Sequence, residues 1–250
     1  MIWRAEEAEE SSKPFVEHLD DLRQTVMWCL GALLVGMLIA WPLSPWILGV
    51  LKTPIAWAGR DPEDYLRVLK VAGGLSVFFR ILFWSGLLIA APIVVLAVGR
   101  FVFPGLTPKE KRAVRNASGF AIVLFATGVS LCYFITLKVA LQMMFRINDW
   151  MGLSSEFVEL GNYVAFVLKL LIAFGLAFEM PVVLLALGGA GLVTSKQLRE
   201  KRRHVIVGLL VLAMILTPPD PVTQMMMAVP LVCLYELCIW LIFAKEKRST

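Results

Sequence analysis

The sequence predicts an all-α, polytopic membrane protein with six transmembrane helices, both termini on the cytoplasmic side, and short fifth and sixth spans. Its 250 residues are 59% hydrophobic and 17% charged, and the mean hydropathy is +0.77. That composition is too apolar for a soluble domain. Six apolar stretches follow one another along the chain, and the loops between them alternate between rich and poor in Lys and Arg. This pattern is typical of a protein that crosses a bilayer repeatedly.

We expect one membrane domain at residues 14–244, between a disordered tail at 1–13 and a basic cytoplasmic tail at 245–250. The first tail is acidic and polar and has no apolar core, so we expect no cleavable signal in it. From residue 15 onward, apolar residues recur at helical spacing, which predicts an interfacial amphipathic helix leading into the first span. Its apolar face carries Phe15, Leu19, Leu22 and Val26, and its polar face carries Glu17, His18 and Asp21.

Apolar stretches predict spans at about 26–49, 75–98, 118–141, 162–187, 204–217 and 222–244. Pro42 and Pro45 lie near the far end of the first span and predict a kink or an early end of the helix. The fifth span would be only about 20 Å long, well below the ~30 Å hydrocarbon core. Pro230 interrupts the sixth span, which also carries Glu236. Residues 217–221, TPPDP, predict a tight hairpin that lies below the membrane surface.

The fourth span carries an unusual carboxyl group. Residues 164–187 are long enough to cross the bilayer as one helix, with Glu179 near the middle and Pro181 just after it. A carboxylate at this depth costs roughly 2.5–3.5 kcal/mol on insertion scales. Two interpretations stay open, a buried structural group hydrogen-bonded to neighbouring helices or a site on a substrate path. Lys169 lies about 15 Å away along the helix, so a direct pair with Glu179 is not expected.

The distribution of Lys and Arg predicts the orientation. Sixteen of the 24 basic residues fall on the side of both termini and six on the other side. The sixteen are Arg4, Lys13, Arg23, Arg100, Lys109, Lys111, Arg112, Arg115, Lys196, Arg199, Lys201, Arg202, Arg203, Lys245, Lys247 and Arg248. The remaining two, Arg80 and Lys169, lie within or at the edge of spans, where snorkelling to the outer surface explains them. Both termini are therefore predicted to be cytoplasmic.

The sequence contains no pattern that suggests catalysis, so we expect neither an enzyme nor a cofactor. Its two histidines, His18 and His204, have no companion at metal-ligand spacing. No P-loop, GxSxG or HExxH motif is present. The four cysteines lack paired spacing and are expected to be packing residues. A small ion-coupled transporter using Glu179, Arg80 and Lys169 is an alternative, although the two halves show no inverted repeat.

Acidic residues occur among the basic residues of the cytoplasmic side. Glu110 lies in the loop sequence FPGLTPKEKRAVR, and Glu17, Asp20 and Asp21 precede the first span. One interpretation is that Glu110 is a solvated residue in the first turn of a helix, where acids are favoured. The other is that these carboxylates receive a cationic peptide. Arginine would suit them, because its planar guanidinium can satisfy a carboxylate with two hydrogen bonds.

Five motifs follow one another along the chain: FVEHLDDLR at 15–23, TP at 53–54, PGLTPKEKR at 104–112, FGLAFEMPV at 174–182 and LTPPDPVTQ at 216–224. They resemble, in order, the F-x-x-H-L-x-E-L-R, outer-loop proline, P-G-L-x-x-x-E-x-R, F-G-x-x-F-E-x-P and L-T-P-P-D-x-x-x-Q motifs of the TatC family. That family is the multispanning receptor subunit of the twin-arginine protein translocase. The resemblance runs from about Phe15 to Phe243.

The resemblance implies a twin-arginine signal-peptide receptor and core subunit of a Sec-independent translocase that exports folded proteins, driven by the proton-motive force. The signal-peptide residues it implies are Glu110, Asp21, Glu17, His18, Arg23 and Arg112. The residues it implies for the interior and for partner subunits are Glu179, Pro181, Asp220, Gln224 and Pro54. Implied partners are TatA/TatB-type single-span subunits, signal peptides, further copies of the chain and membrane lipid, but no nucleic acid. The implied location is the bacterial cytoplasmic (inner) membrane.

The sequence departs from the family at four positions. Asp21 stands where the first motif has Glu, and Arg80 stands where the family often has Lys. Near the end of the second span, Ala97 and Gly99 replace the usual Gln and Trp. These differences leave a divergent paralogue with altered partners as an alternative function.

Overall fold

The computed structural model describes residues 15–102, 108–153, 157–189, 193–216 and 221–249, with side chains at 19–98, 119–153, 157–185, 187–188, 193–215, 221–244 and 246–247. The helices are α1 Phe15–Trp57, α2 Pro62–Tyr65, α3 Gly73–Val102, α4 Pro108–Leu131, α5 Leu137–Trp150, α6 Leu160–Ala177, α7 Met180–Gly189, α8 Ser195–Glu200, α9 Arg202–Leu216 and α10 Pro221–Ser249. A π-helical turn, Cys132–Thr136, joins α4 to α5. Strands β1 Leu66–Arg67 and β2 Val158–Glu159 pair in parallel.

The predicted all-α membrane fold is confirmed in its coarse form. Within the described ranges, five segments are long and apolar enough to cross a membrane: Leu19–Trp57, Gly73–Val98, Gly119–Trp150, Leu160–Leu185 and Pro221–Ala244. Helix α9 has 15 residues and is as short as predicted for the fifth span. The prediction of a short sixth span is wrong, because α10 runs for 29 residues and continues through Pro230. The six crossings and the orientation stay predictions.

The early end of the first helix, one of the two outcomes predicted from Pro42 and Pro45, does not occur in α1. This helix is continuous over 43 residues and includes Pro42, Pro45 and Pro54, so the amphipathic segment and the first span form one helix. A proline lacks an N–H group and leaves the carbonyl four residues earlier without its helical donor. Ser44 Oγ donates to the carbonyl of Trp41, 2.8 Å away, and so satisfies the oxygen that Pro45 leaves free.

Helices α1 and α3 approach each other closely at two glycines. A Cβ atom on Gly36 would lie 2.4 Å from the carbonyl oxygen of Gly86. A Cβ on Gly86 would in turn lie 2.8 Å from the backbone nitrogen of Met37. Small residues at membrane helix crossings allow such backbone contact, where dispersion replaces the hydrophobic driving force. The crossing of α1 and α3 is therefore specified by glycine.

Helix α6 lies at the centre of the molecule. It is the most enclosed of the five candidate spans, with Val164, Val167 and Phe174 fully buried. Helices α3 and α4 pack against it, α1 packs chiefly on α3, and α10 packs on α9 and α7. At one end of the bundle, β1 and β2 link the segment after α1 to the segment before α6. We call this the strand end, and it is also where α3 and α6 begin.

Ion pairs support the strand end. Arg60 bonds to Asp149 across 2.9 Å, and Lys52 bonds to Glu63 across 2.8 Å. Tyr65 meets the ring of Phe145 edge-on, with centroids 5.0 Å apart. These contacts fix the loops around the first residues of α6. The predicted disordered tail at 1–13 and most of the TPPDP hairpin lie outside the described residues.

Candidate functional site

The fourth span is broken at Glu179. Our prediction of one continuous helix over 164–187 is wrong, because α6 ends at Ala177 and α7 begins at Met180. Pro181 causes the break, since it has no N–H to donate to the carbonyl of Ala177. The N–H of Glu179 donates instead to the carbonyl of Leu176, three residues earlier. The carbonyl of Glu179 then accepts the N–H of Val182 at 3.0 Å, which starts the next helix.

The side chain of Glu179 is enclosed, with 4% of its surface exposed. Neither Oε1 nor Oε2 has a hydrogen-bond partner among the residues that the structure describes. A buried polar group left without a partner costs about 1–3 kcal/mol, and more when it is charged. The interpretation of Glu179 as a structural group bonded to neighbouring helices therefore finds no support within the described chain.

Lys169 does not pair with Glu179, as the spacing predicted. Its side chain is exposed, and its Nζ lies 5.6 Å from the centre of the Trp84 ring on α3. A cation over an indole face is favourable by about 0.5–1 kcal/mol at an exposed site. Lys169, the basic residue of α6, thus contacts Trp84 of α3 and not the carboxyl group of Glu179.

Close packing fixes the position of the break. A Cβ on Gly128 of α4 would lie 2.7 Å from Cγ of Phe178 and 2.8 Å from the carbonyl oxygen of Phe174. A Cβ on Gly175 of α6 would lie 2.5 Å from the ring of Phe125. Two glycines therefore allow α4 and α6 to touch directly beside Glu179.

An apolar groove lies between α1, α3, the π-helical turn and α6. Its volume is about 320 Å³, and its lining includes Trp46, Leu88 and Leu171. Ser85 also faces it, and the buried Oγ of that residue has no hydrogen-bond partner in the described part of the chain. The groove has the size and character of a site for an apolar segment.

The predicted signal-peptide residues are only partly described. Asp21 is half-buried and Arg23 is exposed on α1, two residues apart. The backbones of Glu17 and His18 lie in the first turn of α1, and those of Glu110 and Arg112 lie at the start of α4, but their side chains lie outside the description. Whether these groups come together stays a prediction.

Pro54 organises contacts to two other helices. It is buried, and it leaves the carbonyl of Val50 without its helical donor. Tyr133 of the π-helical turn donates its hydroxyl to that carbonyl at 2.8 Å. Tyr163 of α6 donates to the neighbouring carbonyl of Leu51 at 2.7 Å. The proline thus explains the contact of Tyr133, whereas Tyr163 adds a second donor beside it; sequence reasoning selected neither tyrosine.

Gln224 joins the last two long helices. Its Nε2 donates to the carbonyl of Leu210 on α9 across 3.1 Å. Asp220, the other polar residue of the same motif, lies outside the described residues. In this structure Gln224 therefore forms a hydrogen bond between two helices of the same chain.

Helix α8 is held along α10 by contacts that the sequence did not predict. Ser195 donates from its hydroxyl and its backbone N–H to Glu246, and these hydrogen bonds, the hydroxyl first, lower the pKa of that carboxyl. Tyr235 donates to the carbonyl of Leu198 at 2.8 Å. Just beyond α8, Arg202 pairs with Glu236 at 2.6 Å. The capping box of Thr194 and Gln197 was the only local signal for this helix.

The comparisons with known proteins agree with one another. The family profile described as "Sec-independent protein translocase protein (TatC)" matches residues 17–230. The TatC protein of Aquifex aeolicus is 37% identical over 228 residues, which cover 91% of this chain and 94% of the relative. That of Deinococcus radiodurans is 33% identical over 233 residues, covering 91% and 84%.

A solved structure is also similar. The crystal structure of the twin arginine translocase receptor TatC in DDM superposes with a TM-score of 0.78 at 37% identity. The match covers 90% of this chain and 98% of that one. Similarity therefore extends over nearly the whole length in both sequence and fold.

Proposed function

Since this chain belongs to the TatC family of Sec-independent protein translocase proteins, we propose that it is a twin-arginine signal-peptide receptor. In this role it forms the core of a translocase that exports folded proteins. It acts as a transport protein and not as an enzyme. The crystallised relative carries the description of a twin arginine translocase receptor. Membership of this family argues against the alternative of a small ion-coupled transporter.

The proposed topology has six crossings, with α9 as the short fifth and both termini in the cytoplasm. The concentration of Lys and Arg on the side of the termini supports this orientation. At 15 residues α9 spans about 22 Å, so the bilayer is thinned around it. The strand end then faces outward from the cytoplasmic membrane.

The proposed recognition site for the signal lies on the cytoplasmic side. The two arginines of the signal bind between Glu110 and Asp21, with Glu17, His18, Arg23 and Arg112 around them. Each charge-assisted contact contributes about 1.5–3 kcal/mol. Lysine binds less well, because it cannot form the planar bidentate pair. The apolar segment of the signal then enters the groove that Ser85 faces.

The observation that carries the proposal is the enclosed carboxyl of Glu179, which lacks a partner among the described residues. A polar group at this depth is stabilised when a second chain brings a hydrogen-bonding partner. We therefore assign Glu179 and Pro181 to the contact with TatA/TatB-type single-span subunits. Several copies of the chain assemble in the working complex. The proton-motive force drives export, and no cofactor takes part.

A pull-down with a twin-arginine signal fusion tests the receptor role. The purified chain is expected to bind the fusion at least tenfold more tightly than the matched Lys-Lys fusion, because two bidentate contacts are lost. The Glu110→Ala variant should lose most of this preference. Equal retention of both fusions by the wild-type chain would contradict the proposal, and full preference in Glu110→Ala would remove Glu110 from the site.

A further inference from the structure

A cationic cleft lies at the strand end, between the start of α3 and the start of α6. Its volume is about 40 Å³, and Lys70, Ser76 and Arg80 line it on the α3 side. Glu159 and Gly161 line it on the other side. That volume is enough for about three water molecules.

Within the part of the chain that the structure describes, the cations of this cleft have no carboxylate partner. Arg80 donates through Nη1 to the carbonyl of Gly161 at 2.6 Å and to Oδ1 of Asn162 at 3.4 Å. No Asp or Glu oxygen of the described residues lies within 4.0 Å of its guanidinium nitrogens. Glu159 instead accepts a hydrogen bond from Asn162 at 2.8 Å. Lys70 is exposed and likewise unpaired among the described groups. The hydrogen bonds of Nη1 therefore orient the Arg80 guanidinium without neutralising its charge, and Nε and Nη2 can still donate to an anion.

The backbone adds to this positive character. Helix α3 begins at Gly73, which lines the cleft, and the N-terminus of a 30-residue helix carries a partial positive charge. Gly161 leaves room for the arginine, since a Cβ there would lie 3.3 Å from the guanidinium nitrogen. The cleft is therefore lined by two side-chain cations, a helix N-terminus and one carboxylate, Glu159, whose Oε2 accepts a hydrogen bond from Asn162.

The surroundings identify the source of the anion. The cleft lies where two candidate spans begin, at Gly73 and Leu160, the level at which lipid headgroups meet water. Exposed apolar side chains flank Lys70, with Leu69 57% exposed and Val71 fully exposed. Charged groups beside exposed apolar groups match the boundary between a headgroup and its acyl chains.

We propose that Lys70 and Arg80 bind the phosphodiester headgroup of an anionic phospholipid in this cleft. The phosphate accepts from the free guanidinium nitrogens, the lysine ammonium and the hydroxyl of Ser76. The acyl chains extend along α3 and α6. This site is independent of the proposed signal receptor, which lies at the opposite end of the bundle.

Native mass spectrometry of the full, delipidated chain in neutral detergent tests the site. Phosphatidylglycerol and phosphatidylcholine with the same acyl chains are titrated separately. Both lipids carry the phosphodiester, but the choline ammonium of phosphatidylcholine neutralises its headgroup, whereas phosphatidylglycerol keeps a net negative charge. We therefore expect phosphatidylglycerol to bind about 25-fold more tightly, because each of the two cations contributes about fivefold to the binding of a net anion. Lys70→Gln should weaken phosphatidylglycerol about fivefold and leave phosphatidylcholine unchanged. Arg80→Gln should weaken it at least as much.

Matched controls separate this site from general surface charge. Arg146→Gln removes an exposed cation of α5 at the same end but outside the cleft, and it should leave both lipids unaffected. The Lys70 side chain is exposed and has no ion pair among the described residues. The Lys70→Gln variant is therefore expected to fold like the wild type even if the Arg80→Gln variant is unstable. Equal binding of the two lipids, or equal losses in Lys70→Gln and Arg146→Gln, would overturn the proposal. Displacement of phosphatidylglycerol by millimolar inorganic phosphate would assign the cleft to a soluble anion and also overturn it.

Discussion

At the scale of single residues, Glu179 combines burial, a helix break and the lack of a partner among the described groups. Most buried carboxyl groups in proteins have at least one hydrogen-bond partner. Here Pro181 produces the break, and Gly128 of α4 packs closely on Phe178, the residue before Glu179. The chain therefore holds a polar group that stabilises nothing within its described part, which is the expected property of an interaction site.

Replacing Glu179 by Ala is expected to leave the thermal unfolding midpoint unchanged or slightly raised, because an unpartnered polar group is removed. Export should fall by about tenfold or more, since one charge-assisted contact to a partner is lost. Export of a twin-arginine reporter and the unfolding midpoint of the purified variant give the two measurements.

Glu236→Ala is the matched control for Glu179→Ala. It breaks an ion pair with Arg202 that is partly exposed, so it should destabilise the fold by about 1 kcal/mol or less. If Glu179→Ala proves less stable than Glu236→Ala and exports normally, Glu179 is a structural residue and the interaction role is wrong.

The sequence could identify Glu179 but not its environment. Hydropathy placed a carboxyl inside an apolar stretch, and local rules showed that Pro181 would disturb the helix. The hydroxyl donors at Pro54 could not be predicted in the same way. Tyr133 lies 83 residues from the carbonyl it binds and Tyr163 lies 112 residues from its own. The proline rule predicts that the carbonyl of Val50 lacks its helical donor, but only the tertiary fold shows which side chain replaces that donor.

At the scale of helices, α1 shows how a membrane helix accommodates proline. Length and apolar pattern predicted its position, whereas its end was mispredicted because the rule that proline ends a helix assumes that no other group satisfies the freed carbonyl. In this chain Ser44 and Tyr133 provide that group. Side-chain donors therefore serve two of the three prolines through which the helix continues, Pro45 and Pro54.

A double-mutant cycle tests this explanation. Tyr133→Phe should destabilise the wild-type chain by about 1–2 kcal/mol, because the carbonyl of Val50 loses its donor. In a Pro54→Ala background the restored N–H satisfies that carbonyl, so the same change should cost much less. The free energy of unfolding of the four proteins gives the coupling. Equal costs in both backgrounds would show that the hydroxyl does not serve the proline.

The crossing of α1 and α3 gives a second prediction at this scale. Gly36→Ala places a methyl group 2.4 Å from the backbone of Gly86, which cannot move aside without separating the helices. We expect a loss of about 1–3 kcal/mol in unfolding free energy. Gly31→Ala on the same helix meets nothing within 4 Å and should be neutral or slightly stabilising. Similar losses in both variants would contradict a close-packed crossing.

At the scale of the whole molecule, the sequence predicted the architecture better than the contacts. Composition and hydropathy indicated a bundle of apolar helices, and five candidate spans and a similar solved structure confirm it. The strand pair could not be predicted, because two residues in each strand give no alternating pattern to recognise. The predicted bounds of the sixth span, 222–244, agree with the candidate span Pro221–Ala244, but the predicted interruption at Pro230 is wrong because the helix continues through it.

The proposed orientation can be measured on intact cells. In a background without the four native cysteines, Asp64→Cys at the strand end should react with a membrane-impermeant maleimide. Lys196→Cys on α8 should react only after lysis, because the two residues lie on opposite sides of the proposed membrane. Both are exposed in the structure, so accessibility within the chain does not limit the reaction. The reverse labelling pattern would invert the topology.

The strand pair has a consequence for the order of assembly. Leu66 pairs with Val158, which is synthesised 92 residues later. At a ribosomal rate of about 5–20 residues per second, β1 waits roughly 5–20 seconds for its partner. During that interval α3, Gly73–Val102, is synthesised and can associate with α1 through Gly36 and Gly86. We therefore expect α1 and α3 to associate before the strand end closes, because α4, the π-helical turn and α5 must be synthesised before β2.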